Sequence, residues 1–515
     1  MKTQMLKFIK STKTTWISLA LAVLVITGLQ ISVWGKFSDP DGFYHAKASQ
    51  LVSEGRLGDT FPWLAYTTWS EGYADQHYLY HWLLVPFNTV GLLPVSIILF
   101  STMFFVCFWL LMSKMQVPGK PFWLLLTLLG SVDFIFRINV VKANTISLAL
   151  LCLITLITYQ YHQQKNKKLL ALIGVLSGIF AWTYGGFVCV PLFLIAYSMA
   201  IMISERKVDI WPLLSSIIGI VVALLIHPHS QNLLVLLYDQ IFQTGLGAGR
   251  VVPAGNEWLP FRFDWFLESN ILVLTGWLIA LVVEAKKIFN RKLNWLSIWM
   301  QTIAIGFFVL TLWHRRFIEY WTPFTVLATA ITLSPYVRQL SWGKCKSLMV
   351  SAWQFVVAGM LIVAIVVLIG FYNVQKVYLS LSSGEANNRY QNASSWLIKN
   401  SAPKDLVLNT QWDQSPQLLY WNEKNYYMVG LDPTFMYIYD PNLYWDWRKI
   451  ADDNVENWGS IEAVHKLVKQ DLRAKFIFVD VARNPNIYNF LSNDIHSDFF
   501  ERGFDAGGLA IFRVL

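Results

Sequence analysis

Two carboxylates stand close together just after the first apolar run of the chain. Asp39 and Asp41 are separated by Pro40 and are followed by Gly42. Carboxylates at a membrane surface can hold a hard divalent cation. Asp is also a favoured residue at the start of a helix, so the pair is predicted either to bind metal or to cap a helix that begins near Gly42.

A second group combines an acid with two histidines. His77 follows Asp75 by two residues, and His81 follows His77 by four, which places both histidines on one face of a helix. That face could bind metal, or the histidines could bond to polar partners at the membrane interface. A zinc protease motif has Glu where Tyr78 stands, so the sequence does not support zinc proteolysis.

Three basic residues and a glutamate form a third group. Arg316 lies between two apolar runs, where an arginine can bind a lipid phosphate with two hydrogen bonds or extend to the interface. Arg137 and Lys142 add positive charge on the same predicted side, and the three cations together could hold a pyrophosphate. Glu257 follows the glycine-rich stretch 245–249, which is typical of a mobile loop. It is predicted either to reach a site when that loop closes or to be a solvated surface acid.

The elements that must position these side chains belong to a membrane protein. The chain has 515 residues, of which 55% are hydrophobic and 14% charged, whereas a soluble domain has about 25% charged residues. Apolar runs of about 17 to 25 residues predict about eleven membrane spans that end by Phe371. They start near Trp16, Leu92, Phe122, Asn144, Lys168, Gly186, Ile210, Asn270, Leu293, Phe317 and Leu348.

The charge distribution predicts how the chain is oriented. Its net charge is +9, and the basic excess lies in the first 371 residues. With the Lys-rich N-terminus inside, most of these basic residues fall in inner loops, as the positive-inside rule expects. The charge therefore indicates topology, and no nucleic-acid partner is expected. We predict a multi-pass protein of the cell (inner) membrane, with its N-terminus in the cytoplasm and its C-terminal part outside.

Two domains are predicted, because the apolar runs stop well before the end of the chain. Residues 1–371 form a polytopic α-helical transmembrane domain with long outer loops at about 35–80 and 227–269. Residues 372–515 form an extracytoplasmic α/β domain, because strand-like runs alternate with helical patterns. The strand-like runs are 406–408, 426–429, 476–481 and 509–514, and the helical patterns are 391–399 and 461–472.

The order of these motifs resembles that of the membrane glycosyltransferases that use polyprenyl-linked sugars, the C-type superfamily. Within it, the chain resembles in particular the catalytic subunits of oligosaccharyltransferases. The resemblance extends over the whole chain and rests on short motifs. They are Asp41-Gly42-Phe43-Tyr44-His45-Ala46-Lys47, Glu257 with Pro260, Arg316-Phe317 with Tyr320 and Pro323, and Gln411-Trp412-Asp413-Gln414-Ser415 with Tyr420 and Asn422.

The resemblance implies a catalytic role for two acids and a donor-binding role for the basic residues. Asp41 is similar to the family's first metal-binding and acceptor-activating aspartate. Glu257 is similar to the outer-loop glutamate that engages the acceptor amide. Arg316 is similar to the arginine that binds the lipid pyrophosphate, and Lys142 and Arg137 are expected to assist it.

The chain also departs from the family pattern at the acceptor and metal motifs. Trp412, Asp413 and Gln414 resemble the start of the Trp-Trp-Asp-Tyr-Gly motif that reads the acceptor sequon, but Gln411, Gln414 and Ser415 replace its first Trp, its Tyr and its Gly. The family's second acidic motif has no Asp or Glu in the corresponding stretch 137–145. The expected divalent metal, Mn²⁺ or Mg²⁺, is therefore assigned to Asp41 together with Asp133, Asp75 or His77.

The predicted function is an inverting transfer of a sugar or oligosaccharide from a polyprenyl (pyro)phosphate donor to an acceptor on the outer face, as in an oligosaccharyltransferase. One alternative is a C-type transferase that uses a polyprenyl-monophosphate sugar and a hydroxyl acceptor on a protein, a glycan or a lipid. Another is a transporter of a lipid-linked glycan, although acidic residues concentrated at the outer surface suit an enzyme better than a transport path.

Overall fold

The structure is a computed structural model that describes residues 2–245, 251–252, 255–339 and 353–515. The predicted span start at Leu348 and most of the glycine-rich stretch lie outside these residues. The helices of the first half are α1 (Lys2–Ser32), α2 (Asp41–Ser53), α3 (Tyr78–Leu84), α4 (Leu93–Lys114), α5 (Lys120–Leu129), α6 (Val132–Arg137), α7 (Asn144–Gln164), α8 (Lys167–Thr183), α9 (Cys189–Glu205), α10 (Trp211–Leu225) and α11 (Ser230–Tyr238).

The second half continues with helices and adds a sheet. The helices are α12 (Phe263–Phe289), α13 (Trp295–Trp313), α14 (Ile318–Gln339), α15 (Trp353–Ser382), α16 (Gln391–Asn400), α17 (Ser415–Trp421), α18 (Thr434–Tyr439), α19 (Pro441–Ala451), α20 (Ile461–Lys466) and α21 (Pro485–Leu491). The strands are β1 (Lys36–Phe37), β2 (Glu385–Ala386), β3 (Leu406–Asn409), β4 (Tyr426–Tyr427), β5 (Phe476–Asp480), β6 (Phe500–Ala506) and β7 (Leu509–Val514).

Every predicted span start within the described residues falls on or beside one of these helices. Six described helices are long and apolar enough to cross a membrane, and a seventh qualifies if α10 and the helix after it count as one bent span. Two further apolar helices are shorter: residues Trp16–Ser32 of α1, and α5 with 10 residues. The mainly helical membrane architecture is confirmed, and the total of about eleven spans stays a prediction.

The chain divides into two compact units that differ from the predicted domains. The first unit comprises residues 1–34, 94–226 and 257–383, and the second comprises 35–93, 227–256 and 384–515. The predicted boundary after Phe371 falls inside α15, which continues to Ser382. Polar residues such as Lys376 end the apolar run there, but Val377 and Leu381 remain buried, so the helix does not end with the run.

In the first unit, small residues allow two helices to approach closely. Gly174 and Gly178 on α8 lie against Gly219 on α10, and a Cβ atom added to Gly219 would clash with the Gly174 carbonyl oxygen. Close backbone approach of this kind is typical of helix pairs in membranes. A separate apolar cluster joins α1, α6 and α15 through Leu29, Ile135 and Val377, among other residues. These contacts fix α6, which carries Arg137.

The second unit is built around a five-stranded sheet of order β4-β3-β5-β7-β6. Strands β4, β3 and β5 are parallel, and β7 is antiparallel to both β5 and β6. Four of these strands lie at the predicted strand-like runs, which confirms a C-terminal sheet. The sequence analysis missed β6, because its Phe500–Ala506 sequence alternates poorly and most of its side chains are at least partly exposed, as expected for an edge strand.

Candidate functional site

A basic cluster in the first unit surrounds one carboxylate. Arg137 ends α6, Lys142 lies in the turn that follows, and Arg316 lies in a short 3-10 turn between α13 and α14. All three reach Glu257: Arg137 Nη1 and Lys142 Nζ lie 3.1 Å and 3.4 Å from Oε2, and Arg316 Nη1 lies 3.8 Å from Oε1. The structure thus brings together all four residues that the sequence analysis assigned to donor phosphate and acceptor amide in this unit.

A second, deeper carboxylate holds the basic cluster in place. Glu319, on the first turn of α14, is 0% exposed. It accepts hydrogen bonds from Arg137 Nε at 2.7 Å, Asn144 Nδ2 at 3.0 Å and the Tyr184 hydroxyl at 3.2 Å. The Tyr184 oxygen in turn accepts a hydrogen bond from Arg316 Nη2 at 3.0 Å. Glu319 therefore orients Arg137 directly and Arg316 through Tyr184.

An aromatic ring completes the support of Arg316. The guanidinium carbon of Arg316 lies 4.1 Å from the centre of the Trp258 ring, within the range of a cation–π contact. Tyr184, Asn144 and Trp258 were not among the predicted site residues. The sequence signal for this network was Glu319 itself, an acid within an apolar stretch, since such residues are costly to bury and tend to have a function.

The cluster carries a net positive charge around a partly exposed acid. Burial alone would raise the pKa of the Glu257 carboxyl, but the charges of Lys142, Arg316 and Arg137 hold that pKa well below its usual value. The Glu257 side chain is still 28% exposed, whereas the cations around it are 11% to 19% exposed. An anion that reaches this cluster would find three basic side chains already aimed at one point.

Three histidines converge in the second unit. One ligand nitrogen from each of His45, His77 and His81 lies within 4.8 Å of the others. His45 is on α2, His81 is on α3, and His77 immediately precedes α3. The His45 Nδ1 and His81 Nε2 atoms are 2.8 Å apart. Among the described residues, this is the one group of three or more His, Cys, Asp or Glu side chains with such spacing.

Asp75 organises two of these histidines. Its Oδ1 atom accepts the backbone N–H of His77 at 2.9 Å, and its Oδ2 atom lies 2.7 Å from His81 Nδ1. The Asp75 side chain is 0% exposed. Burial opposes its ionisation, yet the neighbouring charges and hydrogen bonds of His81 and His77 keep the pKa of the Asp75 carboxyl below its usual value. Asp75 is therefore an anionic partner for the histidine cluster.

Neither Asp41 nor Asp133 belongs to the histidine group. Asp41 begins α2, and its backbone N–H donates to Asp39 Oδ1 at 3.0 Å, while Pro40 holds the N-cap position and no side chain caps the helix. Asp133 is on α6 in the first unit, where its Oδ1 atom accepts a hydrogen bond from Trp265 Nε1 at 3.3 Å. Of the four predicted metal ligands, His77 belongs to the histidine group, and Asp75 is hydrogen-bonded to it. The metal-binding role of Asp41 stays a prediction.

The predicted acceptor residues lie in a 3-10 turn, Trp412–Gln414, in the second unit. Gln414 is 1% exposed, and its Oε1 atom accepts the backbone N–H of Gln411 at 3.0 Å in a capping box. Asp413 Oδ1 lies 2.9 Å from Arg483 Nη1. Trp412 packs against the apolar core of the unit. These contacts tie all three side chains to the fold of the unit, although the buried Nε2 atom of Gln414 has no hydrogen-bond partner among the described residues.

Comparison with known proteins identifies the fold. No protein-family model and no curated protein sequence matches the chain significantly. The oligosaccharyltransferase of Archaeoglobus fulgidus in its apo form matches 91% of this chain and 69% of its own, with a TM-score of 0.64 and 12% identity. The same organism's oligosaccharyltransferase AglB, in complex with an inhibitory peptide and a dolichol-phosphate, matches with a TM-score of 0.63 and 11% identity.

The solved structure of another protein matches along nearly the whole length of both chains. ArnT from Cupriavidus metallidurans, bound to undecaprenyl phosphate, matches 96% of this chain and 97% of its own, with a TM-score of 0.57 and 13% identity. At these identities the comparisons show a shared fold. The resemblance to oligosaccharyltransferases that was predicted from the motifs is confirmed at that level.

Proposed function

We propose that the chain is a membrane glycosyltransferase that takes its sugar from a polyprenyl (pyro)phosphate donor on the outer face of the cell (inner) membrane. The observation that carries this proposal is the convergence of Arg137, Lys142 and Arg316 on the single carboxylate of Glu257. The fold supports it, because two proteins that share the fold have been solved with a dolichol-phosphate and with undecaprenyl phosphate.

In the proposed donor complex, phosphate oxygens take the place of the Glu257 carboxylate among the three cations. Arginine suits this task, because its planar guanidinium can bind two phosphate oxygens at once. Glu319 keeps Arg137 oriented throughout, so the cations need little reorganisation when the donor binds. Fixed cations of this kind stabilise negative charge as it develops on a leaving group.

The proposed reaction is a displacement at the anomeric carbon with inversion. The acceptor nitrogen or oxygen forms a bond to that carbon as the bond from the carbon to the phosphate oxygen breaks. The electron pair of the broken bond stays on the polyprenyl (pyro)phosphate, where Arg316, Arg137 and Lys142 stabilise it. Asp41 is the proposed group that orients the acceptor and takes its proton.

Two acceptors fit the proposal. In an oligosaccharyltransferase-like reaction the acceptor is an asparagine amide, engaged by Glu257 and read by Trp412, Asp413 and Gln414. A hydroxyl acceptor with a polyprenyl-monophosphate donor is favoured by a separate observation: Gln414 is buried in a capping box, and Asp413 is paired with Arg483. The solved complex of ArnT with undecaprenyl phosphate, a polyprenyl monophosphate, agrees with the donor of this second candidate.

Sugar transfer by the purified protein in liposomes tests the proposal. One arm supplies a polyprenyl-pyrophosphate oligosaccharide with a sequon peptide, and the other a polyprenyl-monophosphate sugar with hydroxyl acceptors. Arg316→Ala should reduce transfer strongly, and Asp41→Ala should abolish it. Arg315→Ala is the matched control, because the neighbouring Arg315 side chain bonds to the Pro260 carbonyl instead of to Glu257.

The product distinguishes the possible outcomes. Glycopeptide formation supports the oligosaccharyltransferase-like reaction. Transfer to a hydroxyl supports the reaction with a polyprenyl-monophosphate donor. Movement of the lipid-linked sugar across the liposome membrane without transfer to any acceptor would replace the proposal with a transporter. If Arg315→Ala and Arg316→Ala reduced transfer equally, the basic cluster would no longer support the proposal.

A further inference from the structure

We propose that His45, His77 and His81 bind a divalent ion of the zinc class, with Asp75 as the residue that positions His81. This set of three histidines differs in chemistry from the carboxylate-based set for Mn²⁺ or Mg²⁺ that the resemblance implied, although the two sets share His77. The proposal does not depend on the proposed transferase activity, since it concerns binding by the second unit alone.

The donor atoms point to a nitrogen-binding metal. Imidazole nitrogen suits Zn²⁺ and related transition metals, whereas Mg²⁺ and Mn²⁺ favour carboxylate, carbonyl and water oxygens. All three converging ligands are histidines, and neither Asp41 nor Asp133 belongs to the group. The residues present therefore fit zinc better than they fit the metal expected from sequence.

The three histidine rings are spaced almost as they would be around a bound ion. The ring centres of His45 lie 5.2 Å from His77 and 5.1 Å from His81, and those of His77 and His81 lie 6.0 Å apart. In a tetrahedral site with zinc–nitrogen bonds of about 2.0 to 2.1 Å, two ligand nitrogens are about 3.3 Å apart. The 2.8 Å between His45 Nδ1 and His81 Nε2 is a hydrogen-bond distance, so the two rings need to separate by about half an ångström.

Asp75 provides the outer hydrogen bond that metal-binding histidines usually have. Its contact with His81 Nδ1 at 2.7 Å leaves Nε2 as the nitrogen that faces His45. A carboxylate in this position fixes the orientation of the ring and makes it a stronger ligand. The backbone hydrogen bond from His77 to the same carboxylate holds the start of α3 beside the site.

Burial limits access to the site to one side. His45 is 4% exposed and His81 is 0% exposed, whereas His77 is only half-buried. An ion would enter past His77. Three protein ligands leave a fourth position of a tetrahedral ion for water or another oxygen ligand, which is the arrangement of open zinc sites.

Zinc binding to the full-length protein tests the proposal directly. The protein is purified with a tag that lacks histidine, stripped with a chelator and titrated with Zn²⁺ by calorimetry, and the bound metal is counted by elemental analysis. We expect one ion per chain. His77→Gln and His45→Gln should each weaken binding by more than tenfold, and Asp75→Asn by about 10- to 100-fold. His465→Gln, a histidine of the same unit outside the cluster, should bind as the wild type does.

The absorption spectrum of bound Co²⁺ tests the site in the wild-type protein, so this test does not depend on whether the variants fold. Co²⁺ bound to a four-coordinate nitrogen site absorbs visible light far more strongly than Co²⁺ bound to six oxygens. An intense spectrum that Zn²⁺ abolishes is expected for the wild type. The proposal is overturned by a weak, oxygen-type spectrum, by unchanged zinc affinity in His77→Gln and His45→Gln, or by binding that Asp41→Asn abolishes and Mn²⁺ competes for equally.

Discussion

Glu319→Ala should strongly destabilise the first unit. The Glu319 carboxylate is fully buried, and it accepts hydrogen bonds from Arg137, Asn144 and Tyr184. Removal of one partner of a buried ion pair costs about 3 to 5 kcal/mol, and the lower end applies here because Arg137 keeps its contact with Glu257. Two further donors lose their acceptor at about 1 kcal/mol each, the lower end of the usual range. We expect a total loss of about 5 kcal/mol.

The free energy of unfolding in mixed detergent micelles, followed by tryptophan fluorescence, measures this loss. Glu319→Gln keeps the size and one acceptor oxygen, so its cost should be smaller than that of Glu319→Ala. Glu268→Gln is the matched control. Glu268 is a half-exposed carboxylate of the same unit that pairs with Lys376, and exposed pairs contribute about 0 to 1 kcal/mol.

A double variant separates the ion pair from simple packing. Replacement of both partners of a buried ion pair with apolar residues is often close to neutral. Arg137→Leu combined with Glu319→Leu should therefore recover most of the stability that either single leucine variant loses. The reasoning is refuted if the double variant loses the sum of the two single losses, or if Glu319→Ala costs no more than Glu268→Gln.

Three further changes have expected outcomes of different kinds. The pKa of Glu257 is lower in the folded protein than in the unfolded chain. Ionised Glu257 therefore stabilises the fold fully above the unfolded pKa of about 4.3 and progressively less as the pH falls further. The difference in unfolding free energy between the wild type and Glu257→Gln should be constant above about pH 5 and decrease below it. Gly219→Ala should lower the unfolding free energy by about 1 to 3 kcal/mol, because the new Cβ meets the Gly174 carbonyl. Gly276→Ala is the control: its nearest contact is at 3.7 Å and alanine favours the helix, so it should keep or raise the unfolding free energy. Chelation of zinc should lower the melting temperature of the wild type and leave that of His77→Gln unaffected. Equal decreases of the melting temperature in the two proteins would argue against the histidine site.

Local patterns in the sequence predicted local structure well. Apolar runs located the helices, and the start of α2 followed from the aspartates before Gly42. Gln411 and Gln414 have the three-residue spacing of a capping box, and in the structure both side chains bond within the turn. The acceptor-binding role of Gln414 stays a prediction.

Contacts between distant parts of the chain could not be predicted in this way. His77 and His81 were identified from their spacing, but His45 is 36 residues from His81 and no periodicity links them. Arg137 and Glu319 are separated by 182 residues. No sequence pattern links the two, and only the packing of α6 against α14 shows that they neutralise each other.

The second unit is assembled from three separate stretches of the chain, and this has a consequence for its synthesis. Residues 35–93 are made early, but β1 pairs with β2 and Trp69 packs against Phe435 with ring centres 5.1 Å apart. Several helices of the first unit must be translated between these partners. During that interval Trp69 and its aromatic neighbours lack their native cover, and newly made chains with exposed apolar surface tend to aggregate. The early segment 35–93 therefore needs protection until translation reaches the C-terminal sheet.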